Sequence, residues 1–313
     1  MTLTELRYIV AVAREKHFSR AAEKCCVSQP TLSVAIKKLE DELGVALFER
    51  GANEIRVTDA GHRVIEQAQR VLEEAAAIKH IATAGKDDLV GPLRFGAIYT
   101  VGPYVTPQLI PLLMKRAPKM PLLIQENYTA RLGEMLKNGD IDVILLSEPF
   151  NEPGIVTHAV YDEPFRVVMP AGHDWAKRAR IAAADLCSET LLLLSSGNCF
   201  RDQVLQTCAG AKRAVNAGLQ QSLEGSSLET IRQMVASGVG ITVLPSTAAE
   251  SRTADTKLTA MKSFANPEPS RRIVLAWRKS FPRVRAVQVV REALLACKLP
   301  SVGLLPAAKP VEH

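Results

Sequence analysis

The hydrophobic period of this 313-residue chain changes once, between Gly85 and Pro92. Before that point apolar residues recur at the three- and four-residue steps of helices. After it, short runs rich in Val, Ile and Leu alternate with helical segments. Such a chain folds as a helical N-terminal part followed by a larger α/β part, because strand–helix alternation predicts parallel sheets covered by helices. Candidate strands lie at 93–97, 122–126, 141–146, 166–169, 191–194, 241–244 and 272–277, with helices near 105–116, 130–137, 228–237 and 283–297.

The first 58 residues are tightly punctuated. Leu6, Ile9, Val10 and Ala13 form one face of a first helix. Ser19 is placed to cap a short second helix through Lys24, with Glu23 near the capping-box position. Ser28 is a fitting N-cap for a third helix. Pro30 sits just inside its start, where a missing N–H costs little, and Gly44 ends it. Two helices joined by a short turn, the second one longer, make a helix-turn-helix, whose second helix enters the major groove. Gln29, Thr31 and Ser33 then offer short polar groups to base edges or phosphates, and Lys37 and Lys38 suit phosphates. Residues 48–50 and 55–58 read as a short β-wing carrying Arg50 and Arg56. Cys25 and Cys26, at the end of the second helix, are expected to be packing residues.

Thr58 can cap a long helix from Asp59 to about Ala84. Val64, Ala68, Val71, Ala75, Ile78 and Ala82 fall on alternating four- and three-residue steps, an a/d seam that predicts a dimerisation helix. Its several alanines supply little burial, and the competing reading is an amphipathic helix lying on its own domain.

Charge is a weaker guide. The net charge is +6 and the pI near 9.0. Residues 1–58 carry nine Lys/Arg against eight Asp/Glu, while residues 269–313 carry nine against two, so global charge does not locate a nucleic-acid face. The N-terminus lacks a basic region leading into an apolar one, and no apolar run approaches 18 residues, so the expectation is a cytoplasmic protein with neither export signal nor membrane span. Six cysteines without Cys-x-x-Cys spacing argue against a zinc framework, and no cofactor is called for.

Within the α/β part, Cys199 is followed by Arg201 and Asp202, with Cys208 nine residues on. A guanidinium near a thiol favours the reactive thiolate. If the intervening segment is helical, nine residues span roughly 13 Å, against about 7 Å between Cα atoms in a disulfide. Bonding the pair would force the segment to unwind, the geometry of a redox switch. The bland alternative is two inert core thiols. Cys187 and Cys297 are expected to be structural. Thr100 and Thr129 follow the first two strands at the ends where ligands of α/β folds sit, although caps or turns explain either hydroxyl alone.

The string from Ala21 through Ser28, Gln29, Pro30, Thr31, Leu32 and Ser33 to Leu39, Glu40, Leu43, Gly44, Leu47, Phe48, Glu49, Arg50 and Thr58 to Gly61 resembles the DNA-binding domain of LysR-type transcriptional regulators. Thr100 to Tyr104, Gly197 to Gln203 with Cys208, Ser226 to Ala236, Gly240 to Pro245 and Pro267 to Pro269 extend the resemblance to the peroxide-sensing members of that family. The resemblance implies a winged helix-turn-helix over 1–58 and a linker helix and hinge over 59–88. It also implies a periplasmic-binding-protein-like α/β regulatory domain over 89–298. That domain would consist of one subdomain at about 89–165 and 268–298 and a second at about 166–267. The last residues, 299–313, are expected to be a disordered tail because of their prolines and small residues.

By the same resemblance Cys199 is the peroxidatic thiol and Cys208 the resolving one, with Thr100, Thr129, Asn198, Asp202 and Arg271 lining or supporting a peroxide pocket. The implied partners are promoter DNA contacted by Gln29, Pro30, Thr31, Ser33, Lys37, Arg50 and Arg56, hydrogen peroxide, RNA polymerase, and a thiol reductant such as a glutaredoxin system. The implied assembly is a homodimer pairing into a homotetramer. One departure is Asn198, where related sequences often have histidine. Asparagine hydrogen-bonds but cannot carry charge, which implies greater reliance on Arg271 and backbone N–H groups, or a slower reaction. The register leaves Arg271 and its neighbour Arg272 as alternatives. Two other functions stay open: a regulator that binds a small organic effector in its cleft, and a thiol peroxidase.

Overall fold

The computed structural model describes residues 1–50, 55–83, 87–207, 222–251 and 257–305. The chain forms two compact units, Met1–Asp87 with Ser280–Pro282, and Asp88–Lys279 with Arg283–His313.

The first unit begins with α1 (Leu3–Glu15), started by a capping box in which Thr2 Oγ1 accepts from Glu5 N–H and the Glu5 carboxylate accepts from Thr2 N–H at 2.7 Å. The Thr2 hydroxyl, and then the Thr2 N–H, donate to the Glu5 carboxylate and hold its carboxyl below the ordinary range. Its core face is Leu6, Ile9 and Val12; the expected Val10 and Ala13 are only half-buried, because the helix is centred on Ile9. In α2 (Phe18–Lys24) the N-cap is His17 without a side-chain bond, so Ser19 lies inside the helix and does not cap it. The third helix, α3 (Gln29–Leu43), follows the expectation: Ser28 Oγ accepts from Thr31 N–H, Pro30 stands in the first turn, and Gly44 takes a left-handed φ of +70°. Of the cysteines after α2, Cys25 packs on the core but Cys26 is exposed.

The wing strands β1 (Phe48–Arg50) and β2 (Ile55–Val57) pair antiparallel, Glu49 opposite Arg56. Next comes α4 (Asp59–Thr83), where Thr58 Oγ1 accepts from Gly61 N–H at 2.9 Å. Only glycine fits at 61, because a Cβ there would lie 2.2 Å from the Leu47 carbonyl oxygen. Leu32, Ile36 and Leu39 of α3 join Leu6, Ile9, Val12, Leu47, Phe48 and Ala68 in one core. Each fully buried leucine or isoleucine there contributes about 1.5–3 kcal/mol. The a/d seam of α4 is divided. Val64 and Ala68 serve this core, while Ile78 is 68% exposed and Val71 36%.

The second unit is built on a mixed sheet whose strands lie in the order β4 (Leu122–Asn127), β3 (Leu93–Ile98), β5 (Val143–Ser147), β12 (Ser270–Arg278), β6 (Ile155–Pro170), β10 (Ile241–Pro245), β8 (Leu191–Leu194) and β9 (Ser222–Gly225). Parallel pairing holds β3 to β4 and β5, and β8 to β9 and β10. The middle is not parallel. The 16-residue β6 runs antiparallel to β10 and to β12, and β12 runs antiparallel to β5. Expectation and structure differ here because His158, Asp162, Glu163 and Arg166 interrupt the apolar run of β6, leaving only its last residues legible as a strand. Two short strands, β7 (Arg180–Ile181) and β11 (Thr259–Phe264), extend this half.

The helices that matter for the site are α5 (Gly102–Arg116), α6 (Thr129–Lys137), α7 (Cys199–Thr207), α8 (Leu228–Ala236), α9 (Ser246–Ala249) and α10 (Val284–Leu295). The expected tail is partly strand. Gly303 and Leu304 pair with Asp162 and Tyr161 of β6, and Leu305 N–H donates to the Val160 carbonyl at 3.0 Å. Residues 306–313 of that tail lie outside the described residues.

Candidate functional site

At the C-terminal ends of parallel strands three segments converge on one small cavity. β3 ends at Ile98 and is followed by Tyr99 and Thr100. The turn from β4 to α6 supplies Asn127, Tyr128 and Thr129, and the start of α7 supplies Gly197, Asn198 and Cys199. The space open to a water-sized molecule is about 10 Å³, roughly the room of one water. Tyr99 and Tyr128 meet edge to face at 5.3 Å between ring centroids, both about 40% exposed, and wall the cavity toward solvent. Gly197 takes φ +93°, where a Cβ would be strained.

The two threonines differ. Thr129 Oγ1 is buried and has no hydrogen-bond partner among the described residues, and it does not cap α6, whose N-cap is Tyr128. A buried hydroxyl left unpaired costs about 1–3 kcal/mol. Thr100, 3% exposed, is tied to Arg271: its Oγ1 accepts from Arg271 Nη1 at 2.8 Å and its carbonyl from Nη2 at 2.9 Å. Arg271 Nε pairs with Glu163 at 2.8 Å, both side chains fully buried, and the guanidinium lies 5.0 Å from the centre of the Phe200 ring. Glu163 also accepts from Thr247 N–H and Oγ1–H. Arg271 therefore backs the cavity through Thr100 and Phe200 and does not line it. Strand alternation separates the two candidate arginines, turning Arg272 outward onto Asp162 at 2.8 Å.

Cys199 is half-buried at the first position of α7. The N-terminal end of a helix favours negative charge developing beside it. Asn198, 7% exposed, lines the cavity and donates from Nδ2 to the Ser195 carbonyl at 3.0 Å. Two expectations for this segment do not hold. Asp202 is exposed on α7 and does not line the cavity. The Arg201 guanidinium is held by the Leu194 carbonyl at 2.8 Å and by Glu224 at 2.6 Å.

Phe200, Val204 and Leu205 bury α7 in the core, and Gln203 Nε2 ties it to Ser147 Oγ at 2.8 Å and the Glu148 carbonyl at 3.0 Å. Cys208 lies outside the described residues. Cys187 packs on the core; Cys297 is 4% exposed and burial pushes its thiol up to about 11. Sequence reasoning missed Tyr99, Tyr128, Glu163 and Thr247. The tyrosines are adjacent to Thr100 and Thr129, the only hint available, and nothing in the local sequence marks the other two.

In the first unit Gln29, Pro30, Thr31, Lys37 and Lys38 are exposed along α3 and Ser33 is half-buried. Arg56 is exposed on β2, while the side chain of Arg50 lies outside the described residues. Among the described residues no helix is long and apolar enough to cross a membrane.

Comparison with known proteins agrees with both units. Residues 3–62 match the bacterial regulatory helix-turn-helix protein, lysR family, and residues 86–297 match the LysR substrate binding domain. The hydrogen peroxide-inducible genes activator of Dickeya chrysanthemi is 40% identical, with 90% of this chain and 91% of that protein covered. The DNA-binding transcriptional dual regulator OxyR of Escherichia coli is 38% identical, with 95% of each covered. Full-length OxyR of Pseudomonas aeruginosa superposes with a TM-score of 0.79 at 48% identity, 99% of each chain covered. An H2O2-bound OxyR mutant of Corynebacterium glutamicum gives 0.63 at 32% identity, covering 94% of this chain and 91% of that one. A helix-turn-helix, a LysR-type α/β domain and relatives of this identity over nearly the whole length lead to one conclusion: the chain belongs to the LysR-type transcriptional regulators, in the OxyR group of peroxide-responsive activators, and is a DNA-binding regulator rather than an enzyme.

Proposed function

We propose that Cys199 is the peroxidatic thiol of this activator and Cys208 its resolving partner. The observation that carries the reading is the buried Thr129 hydroxyl, without a partner among the described residues, in a small cavity shared with Cys199. Hydrogen peroxide placed there takes a hydrogen bond from Thr129, with Thr100 and Asn198 on the adjoining walls and the Arg271–Glu163 pair holding Thr100. The Cys199 thiolate attacks one peroxide oxygen. The O–O bond breaks with its electron pair leaving on the second oxygen, which takes a proton and departs as water. Sulfur is oxidised to the sulfenic acid. The Cys208 thiol then attacks that sulfur, forming the S–S bond and releasing a second water. Two electrons from an external dithiol of the glutaredoxin kind restore both thiols. An organic effector fits poorly, since sites for drug-sized molecules are typically about 300–1,000 Å³.

The helix Cys199–Thr207 spans about 12 Å, beyond the about 7 Å a disulfide allows, so the bond requires α7 to unwind and release Gln203 from Ser147 and Glu148. Unwinding would then repack a regulatory dimer within a homotetramer and give the helix-turn-helix pairs a new spacing. Gln29, Pro30, Thr31 and Ser33 would face bases, with Lys37, Arg50 and Arg56 on phosphates, and contact with RNA polymerase would change in a cytoplasmic setting. The test is peptide mass spectrometry of reduced protein given stoichiometric hydrogen peroxide, with parallel DNA footprinting. A Cys199–Cys208 disulfide with a shifted footprint is the expected result. An unmodified pair, or a disulfide with an unchanged footprint, overturns the reading.

A further inference from the structure

The recognition-helix candidates chosen from sequence are all polar or proline, yet the side chain at the outermost point of α3 is Val34, 69% exposed. The core side of that helix is Leu32, Ile36 and Leu39. At about 100° per residue, Val34 stands about 200° from Leu32, directly away from the core. Its neighbours one turn away are Pro30, Thr31, Lys37 and Lys38, all exposed. Valine is a poor choice for an exposed helix interior, since its β-branch restricts χ1, and here it gains no burial within the chain.

Single exposed apolar residues are ordinary on protein surfaces. This one differs in place, because the second helix of a helix-turn-helix is the one inserted in the major groove, with its N-terminal residues at the base edges. Between two lysines suited to phosphates, the groove floor presents one apolar group, the 5-methyl of thymine. We propose that Val34 reads a thymine through contact of its methyl groups with that 5-methyl, so that this position of each half-site is selected by an apolar contact with no hydrogen bond. The inference rests on α3 being the DNA-reading helix and is independent of the cysteine chemistry.

The test uses the full reduced chain and a duplex selected from random sequence by binding to it. Each thymine is replaced in turn by deoxyuridine, which removes only the methyl, and dissociation constants are measured by fluorescence anisotropy. One position per half-site should weaken wild-type binding by roughly three- to fivefold, the size of one buried methyl. Val34→Ser should bind the thymine duplex more weakly by that factor at every half-site a subunit occupies, about ten- to 25-fold for two, and lose nothing further on the uracil duplex. If Val34→Ser keeps the wild-type ratio between the two duplexes, or binds the thymine duplex as tightly as wild type, the contact is refuted. Lys37→Ala and Gln29→Ala separate the underlying reading. If they too leave affinity unchanged, α3 is not the reading helix; if they weaken binding while Val34→Ser does not, only the methyl contact fails. Unchanged thermal unfolding of Val34→Ser is expected from its exposure.

Discussion

Thr100 and Thr129 both line the cavity but differ in circumstance: Thr100 Oγ1 is held as an acceptor by Arg271 at 2.8 Å, while Thr129 Oγ1 is buried without a partner among the described residues. A hydroxyl left unpaired in the protein is free to donate to a bound molecule. Thr129→Val should therefore slow Cys199 oxidation by hydrogen peroxide about a hundredfold, followed by stopped-flow, while alkylation of Cys199 by iodoacetamide proceeds at the wild-type rate; equal slowing of both would show a merely structural loss. Cys297 makes a different prediction. Burial raises its thiol from 9.0 to about 11, so the unfolded chain ionises first as pH rises. The associated stability is whole below pH 9 and is lost as pH climbs toward 11. Cys297→Ala should flatten the fall in melting temperature across that window, removing at most about 3 kcal/mol of pH dependence; an unchanged slope would refute the assignment. At this scale the candidate cysteines, threonines and polar residues of α3 stand out in the sequence because thiols, hydroxyls and amides are the groups such chemistry needs. Glu163, Tyr128 and Val34 do not, since partners and exposure arise only on folding.

Among the elements, α7 is held at its two faces by Gln203 on Ser147 and Glu148, and by Arg201 on Leu194 and Glu224. If the disulfide requires this helix to unwind, the Gln203 bonds stabilise only the reduced form. Gln203→Ala should then make the Cys199–Cys208 potential more negative by about 30 mV, corresponding to about 1.4 kcal/mol, measured by equilibration in glutathione buffers; no shift, or a rise, would argue against a reduced-state clamp. β6 and β12 meet at the buried Glu163–Arg271 pair. Glu163→Gln leaves a buried guanidinium uncompensated and should lower stability by about 3–5 kcal/mol in urea unfolding. A loss below 1 kcal/mol would mean that water or a shifted side chain replaces the carboxylate. Short apolar strands such as Leu191–Leu194 were legible outright. The long β6 was concealed by the charged residues it brings to this pair.

At the scale of the molecule, α4 serves two purposes. Its first turns place Val64 and Ala68 in the core of the DNA-binding unit, and farther along it exposes Val71 and Ile78. An isoleucine that is 68% exposed on a 25-residue helix fits a seam awaiting a second copy. Ile78→Asp should lower the proposed tetramer to dimers held by their regulatory units in sedimentation velocity; an oligomer of unchanged size would refute a dominant role for this helix.

The sequence by itself determined the order and type of most elements, the helix-turn-helix with its Ser28 cap and Gly44 stop, the long helix after Thr58, and the family. These follow from periodicity, capping chemistry and motif spacing, which are properties of neighbours along the chain. Tertiary structure decided the mixed sheet, the pairing of Gly303 and Leu304 with β6, the inward turn of Arg271 against the outward turn of Arg272, and the lone hydroxyl of Thr129. Each depends on groups more than a hundred residues apart, or on which face of an element is covered, and no local pattern encodes either.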